Sequence, residues 1–192
     1  MSSNYCAIIL KPDAHRDVLA EMIIQDLEAN GLTTIFRKDK VLSTSEAEEI
    51  YLEHYDRPHY EASIKSIKGE SDDLFVTILI LKSKDGDAIA NANKIKGISD
   101  VGGIRYKYRR FSKKDFEDMG YGGEELMTKL GENRLHVPDN DIRSLELIDR
   151  LLSNTEKEDI KEREPELIRE LEAWRFENKE GMLIPEFKNR II

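Results

Sequence analysis

Apolar positions along the chain change period several times, and each change marks an element. Residues 5–10 form a near-continuous apolar run, the pattern of a buried strand. Over residues 16–30 the period lengthens. Val18, Leu19, Met22, Ile23 and Leu27 recur at helical spacing, and Asn30-Gly31 supplies a C-terminal stop. Residues 32–42 return to strand character, with Leu32, Ile35 and Val41 set among basic residues. Ser43-Thr44-Ser45 reads as the cap of a short helix carrying Ala47, Ile50 and Tyr51. Pro58, suited to a first helical turn, opens a helical stretch that runs to Ile67. Residues 74–81 are the strongest strand pattern of the chain, continuous enough for a central strand covered on both faces. Asp87 to Lys96 reads as helix, and Ile104 to Phe111 as strand.

This order, β-α-β-(αα)-β-α-β, predicts an α+β fold: a ferredoxin-like βαββαβ antiparallel sheet with helices on one face. Two additions follow it. Residues 112–131 read as a helical or irregular insertion, and residues 141–192 as a helical C-terminal region with a tail. In that region Glu164-Pro165-Glu166 opens a helix, with proline in the first turn and acids at the positive dipole end. Leu167, Leu171 and Trp174 share one face of it, and Gly181 is its expected stop. The expected organisation is one domain over residues 1–150 and a helical extension over 151–192.

Composition narrows the function classes. The 192 residues carry a net charge of −9, which disfavours general electrostatic binding to nucleic acid or to an anionic membrane. A local basic pocket for a phosphorylated small molecule remains compatible with it. No apolar run approaches a membrane span, and the first residues lack the basic and apolar segments of a secretory signal. The single cysteine, Cys6, lies in the first strand pattern and reads as a small core residue. A cytoplasmic location is therefore expected. No Cys/His cluster has zinc spacing. The stretch Tyr106–Lys114 interleaves aromatic and basic residues, but alternation at period two fits a half-exposed strand better than a surface for single-stranded nucleic acid.

The candidate chemistry lies in short motifs that keep a fixed order. Lys11-Pro12-Asp13 closes the first strand, and Tyr51 precedes Asp56-Arg57-Pro58. Gly103-Ile104-Arg105 comes next, and Asn133 stands three residues before His136. Together, over roughly residues 4–148, these resemble the nucleoside diphosphate kinase family. The resemblance implies that His136 is the phosphorylated nucleophile. It places Lys11, Arg57 and Arg105 on phosphates and Tyr51 beside Lys11 and the histidine. Asn133 corresponds to the residue that bonds the sugar. His59, with its neighbour Tyr60, falls where the family stacks an aromatic ring on the base. Mg²⁺ is implied as a cofactor carried by nucleotide phosphates rather than by a protein cage. Nucleoside di- and triphosphates are the implied ligands, and self-association into a homo-oligomer is expected.

An imidazole suits the acceptor role, since a reference pKa of about 6.5 leaves it mostly neutral and nucleophilic at pH 7. A phosphohistidine divides one transfer into two half-reactions. The chain also departs from the family pattern. Val137 and Pro138 follow the histidine where the family has a small residue and then serine. Leu147 occupies the position of the glutamate that orients the imidazole. Glu146, one residue earlier, is the candidate substitute. Asp87 stands in place of a second phosphate-binding arginine, Asn93 in place of a threonine, and Lys94 or Lys96 is the candidate replacement charge. The leading expectation is phosphoryl transfer through His136. The alternative is a nucleotide-binding regulatory module with little turnover.

Overall fold

The computed structural model describes residues 2–69, 74–97 and 102–178. β1 (Tyr5–Leu10) leads into α1 (Pro12–Arg16) and α2 (Ala20–Ala29), then β2 (Leu32–Lys40). α3 (Thr44–Ile50), a 3-10 turn (Leu52–His54) and α4 (Tyr60–Lys68) form a helical hairpin before β3 (Val76–Ser83). α5 (Ala88–Lys96), α6 (Gly103–Lys107), α7 (Lys113–Asp118) and α8 (Gly123–Gly131) follow. The two-residue strand β4 (Leu135–His136) comes next, and α9 (Asp141–Leu151), α10 (Asn154–Arg163) and α11 (Pro165–Asn178) complete the described chain.

The four strands form one antiparallel sheet in the order β2-β3-β1-β4. Successive residues of β1 and β3 face opposite sides, as strand geometry requires. Tyr5, Ala7, Ile9, Val76, Ile78 and Ile80 join a core with the α3–α4 hairpin and α9–α11. Cys6, Ile8, Leu10, Leu79 and Leu81 join a second core with α2, α5 and Ile104. Helices therefore cover both faces of the sheet, not one. The C-terminal helices share the first core directly, through Ile160, Leu167, Leu171 and Trp174.

Three local expectations are corrected. Residues 104–111 contain no strand: Gly103–Lys107 is helix α6. The alternation there also fits a spacing of four, and Ile104 and Tyr108 are the pair that is buried. Gly97 and Gly103 explain the geometry. Both have positive φ, and a Cβ at Gly97 would stand 2.0 Å from the carbonyl oxygen of Gly102, so two backbones meet where only glycine fits. The fourth strand is instead Leu135–His136, paired with Ile9 and Leu10. The helix expected from residue 16 starts at Ala20, because Val18 has φ 59° and breaks it from α1. Val18 is 84% exposed and Met22 49%, so neither belongs to the core. The expected stop at Gly181 lies outside the described residues.

Ser43 caps α3 as expected, in a capping box with Glu46. Asp87 caps α5, accepting from the Ala90 amide at 3.0 Å. The inserted segment is helical, and its α8 packs along α4.

Candidate active site

His136 closes β4 beside Ile9, so the sheet itself fixes its backbone. The preceding loop is held by one buried guanidinium. Arg134 adopts φ 75°, an uncommon conformation for a residue with a Cβ. Its Nη1 donates to the Asp13 carbonyl at 3.0 Å and to Asp17 Oδ2 at 2.7 Å, and its Nε donates to the Tyr108 carbonyl at 2.7 Å. Its backbone amide donates to Asp13 Oδ2 at 3.1 Å. The Lys11 amide in turn donates to the Arg134 carbonyl at 2.8 Å. Asp13 of the Lys-Pro-Asp motif thus anchors the histidine loop, and strand order alone puts Lys11 beside His136.

A cavity of about 260 Å³ opens at this junction. Lys11, Tyr51, Arg105, Lys96 and His136 line it. His54, His59, Asn133 and Asp139 line it as well, and Met127 and Leu130 of α8 contribute apolar surface. His136 is 4% exposed and packs edge-on against Tyr51, with ring centroids 4.7 Å apart. Lys11 is 2% exposed. Its Nζ donates to the Gly131 carbonyl at 2.8 Å and to Ser66 Oγ at 3.3 Å, and stands 5.6 Å from the Tyr51 ring centre.

Burial and like charge dominate the electrostatics. Burial, then the charges of Lys11, Arg105 and Lys96, hold His136 well below its ordinary pKa, so it is neutral at pH 7. Burial and the Arg105 guanidinium push Lys11 down from 10.5 to about 7. Arg105 donates to the Leu135 carbonyl at 3.1 Å, while its buried Nε finds no acceptor among the described residues. Asn133 Oδ1 and His136 Nε2 are likewise enclosed without a partner among the described residues. A buried donor or acceptor without a partner is costly, and three such atoms around one cavity mark a place shaped for a ligand.

Of the residues named from sequence, Lys11, Tyr51, His59, Arg105, Asn133 and His136 meet at this cavity. Arg57 does not line it. Arg57 lies exposed on the turn after His54, near enough for its charge to lower the His54 pKa. Tyr60 is buried in the hydrophobic core against Tyr55. Glu146 is directed away, pairing with Arg143 and, at 2.7 Å, with Arg150. Leu147 is a core residue, 1% exposed. Of the two candidate replacement lysines, Lys96 lines the cavity and Lys94 does not. Asn93 donates to the Pro138 carbonyl at 3.4 Å and so braces the histidine loop.

Sequence reasoning passed over His54, Ser63 and Asp139. His54 lies three residues after Tyr51, and Ser63 four after His59, spacings that put each pair on one helical side. His54 Nδ1 stands 3.3 Å from His59 Nε2, and His54 Nε2 3.5 Å from Asp139.

Comparison with known proteins identifies the family. The nucleoside diphosphate kinase family model matches residues 4–119, a stretch that ends before His136. The nucleoside diphosphate kinase of Hydrogenovibrio crunogenus is 34% identical over 105 residues, covering 52% of this chain and 70% of that protein. The enzyme of Helicobacter pylori strain Shi470 is 33% identical over 92 residues, covering 48% and 63%. Among solved structures, the Borrelia burgdorferi nucleoside diphosphate kinase with bound vanadate and ADP aligns with a TM-score of 0.62 at 21% identity. That alignment covers 79% of this chain and 88% of the other. The Halobacterium salinarum nucleoside diphosphate kinase in complex with CDP aligns with a TM-score of 0.56 at 22% identity, covering 76% and 86%. These structural likenesses carry the fold; the family model and the sequence relatives carry the rest, and on them this chain is a kinase that belongs to the nucleoside diphosphate kinase family.

Proposed function

We propose that this kinase moves the terminal phosphoryl group of a nucleoside triphosphate to a nucleoside diphosphate through a phosphohistidine on His136. One observation carries the reading: a neutral, buried imidazole stands in a cavity whose other charged walls are chiefly cationic. A neutral imidazole keeps a lone pair on one ring nitrogen, and that nitrogen is the nucleophile. In the first half-reaction that lone pair attacks the terminal phosphorus. The bond to the bridging oxygen breaks, and the nucleoside diphosphate leaves with the electron pair. A second nucleoside diphosphate then attacks the phosphohistidine and restores the neutral ring.

Lys11, Arg105 and Lys96 neutralise the phosphates through this exchange, the main catalytic demand of phosphoryl transfer. Charge arriving on the ligand also raises the Lys11 pKa again, so the lysine is cationic when occupied. Asn133 offers its free Oδ1 to a sugar hydroxyl, and His59 offers a ring at the outer edge. Arg57 stands outside the cavity lining, so the proposed phosphate contacts fall to Lys11, Arg105 and Lys96. With Glu146 engaged elsewhere, Tyr51 is the residue that holds the plane of the imidazole, by contact rather than by charge.

The family needs a divalent metal, and we infer Mg²⁺ carried by the nucleotide phosphates. Asp139 is the lone carboxylate among the described residues that line the cavity, and no group of three or more His, Cys, Asp or Glu side chains is placed to hold a metal ion among the described residues. When bound, the ion supplies further neutralisation of phosphate charge. No described helix is long and apolar enough to cross a membrane. A cytoplasmic homo-oligomer is the assembly and location we propose, testable by sedimentation of the full chain.

The test is labelling with γ-phosphate-labelled ATP and Mg²⁺. The chain should take up an acid-labile label, His136→Ala should take up none, and added nucleoside diphosphate should discharge it. Equal labelling of wild type and His136→Ala would sink the reading.

A further inference from the structure

A second and larger cavity, of about 600 Å³, lies against the first. It is built largely by the insertion and the segment that leads into it. Arg105 and Asn133 wall both cavities. The sequence places an aromatic and basic run here, Tyr106 to Lys114, which the phosphotransfer reading leaves without a role.

The lining is strongly one-sided. Arg16, Arg105, Arg110, Lys113 and Lys129 line it, and Glu132 is the lone acid among its described lining residues. Glu132 answers Arg16 at 2.7 Å and Lys129 at 3.0 Å. Asp13 and Asp17 answer Arg134 from behind the wall. Asp13 and Asp139 act on Arg105 only through space, and its buried Nε keeps no acceptor among the described residues. A cation excess held in a concavity, in a chain of net charge −9, focuses positive potential at one place.

The same wall carries rings. Phe111 and Phe116 stand with centroids 5.5 Å apart, and Phe116 and Tyr121 5.8 Å apart, both edge-to-face. The Arg110 guanidinium lies 5.3 Å from the Phe111 ring centre. Rings beside guanidinium groups suit a ligand that joins a flat base to phosphates. The volume suits one such ligand, within the usual span of small-molecule sites.

We infer that this cavity binds a second nucleotide, a nucleoside di- or triphosphate with its base against Phe116 and its phosphates on Arg110 and Lys113. Arg105 and Asn133 couple it to the His136 cavity, because a ligand that engages them from one side changes what they offer on the other. The site is an effector site, distinct from the position where phosphate is transferred. It rests on the His136 reading only for that coupling, not for binding.

The test is calorimetric titration of the full chain with ADP, alongside His136 labelling. Wild type should bind two ADP per chain. Arg110→Glu with Lys113→Glu, both exposed positions, should bind one and still label at His136. Phe116→Ala should weaken the second event by about tenfold, the scale of one lost stacking contact, and leave pyrophosphate binding unchanged. One ADP per chain in wild type, with the charge reversals without effect, overturns the inference. So does pyrophosphate binding as tightly as ADP, since the rings would then read nothing. If labelling fails while two binding events persist, the phosphohistidine reading falls and this one stands.

Discussion

The C-terminal helices and the His136 cavity are both rich in charge, and they use it in opposite ways. Around α9–α11 opposite charges meet. Asp149 accepts from Lys157 at 2.9 Å and also pairs with Arg175. Glu156 pairs with Lys38 at 2.9 Å, and Glu164 takes both Lys82 at 2.8 Å and the Tyr5 hydroxyl at 3.0 Å. Around His136 like charges meet: Lys11, Arg105 and Lys96 lower the imidazole pKa together, and Arg105 lowers that of Lys11. Matched charge holds two elements together. Unmatched charge raises the free energy of the empty fold, and an anionic ligand recovers it.

The largest expected effect tests the unmatched side. His136→Ala should cut turnover by at least about 10⁴-fold, the scale of removing a nucleophile, while its melting temperature stays close to wild type. Steady-state kinetics and a thermal scan check both halves. A matched, buried pair should behave in reverse. Arg134→Ala leaves Asp13 buried without its counter-charge and should cost about 3–5 kcal/mol in denaturant unfolding. A loss below 1 kcal/mol there would mean that the histidine loop does not depend on Asp13.

Lys11→Met sharpens the contrast most directly. Nucleotide affinity should fall by roughly 100-fold, the scale of removing one preorganised electrostatic group. Stability should hold or rise, since a desolvated charge among like charges is removed. A drop in melting temperature of several degrees would count against the electrostatic account of this cavity. Asp149→Ala should do the opposite, costing about 1–3 kcal/mol with kcat and KM unchanged.

The smallest effect is a slope with pH. Lys11 in the free protein titrates near 7, below its ordinary 10.5. Bound phosphate favours its protonated form. Nucleotide affinity should therefore fall as pH rises through about 7, and Lys11→Met should flatten the curve. His136 contributes no step above pH 7, because its pKa is depressed and the ring is already neutral. The same shift affects folding. The unfolded chain binds the Lys11 proton up to about 10.5 and the folded chain only up to about 7. In that window this group makes stability rise with pH.

Much of the frame is legible in the periodicity of the chain. The runs at residues 5–10 and 74–81 identify strands covered on both faces, and β1 and β3 lie there. Ser43 and Glu46 mark a helix start by their spacing alone. The misread stretch was Ile104 to Phe111, where Ile104, Tyr106 and Tyr108 satisfy period two and period four together. Contact with the second core buries Ile104 and Tyr108 and leaves Tyr106 45% exposed, which decides for a helix. The true fourth strand has two residues, too few to show any period.

The site divides in the same way. The resemblance carried by the ordered motifs names Lys11, Tyr51, Arg105, Asn133 and His136, and the fold brings these five to one cavity. Spacing alone leaves the fate of Glu146 open. One residue of helix turns a side chain by about 100°, and Arg143 and Arg150 take up its carboxylate. Nor does sequence rank Lys94 against Lys96, two residues apart on one helix and lining different cavities.

By itself, then, the sequence determined the three long strands and most helix limits, which follow from local periodicity, and it named His136 as the candidate nucleophile through the resemblance of its ordered motifs. The tertiary structure alone decided which cations surround His136, that Arg134 and Asp13 lock its loop, and that the insertion builds a second cationic cavity. Burial and charge at one point depend on every element that packs there, and no local window of the chain contains that sum.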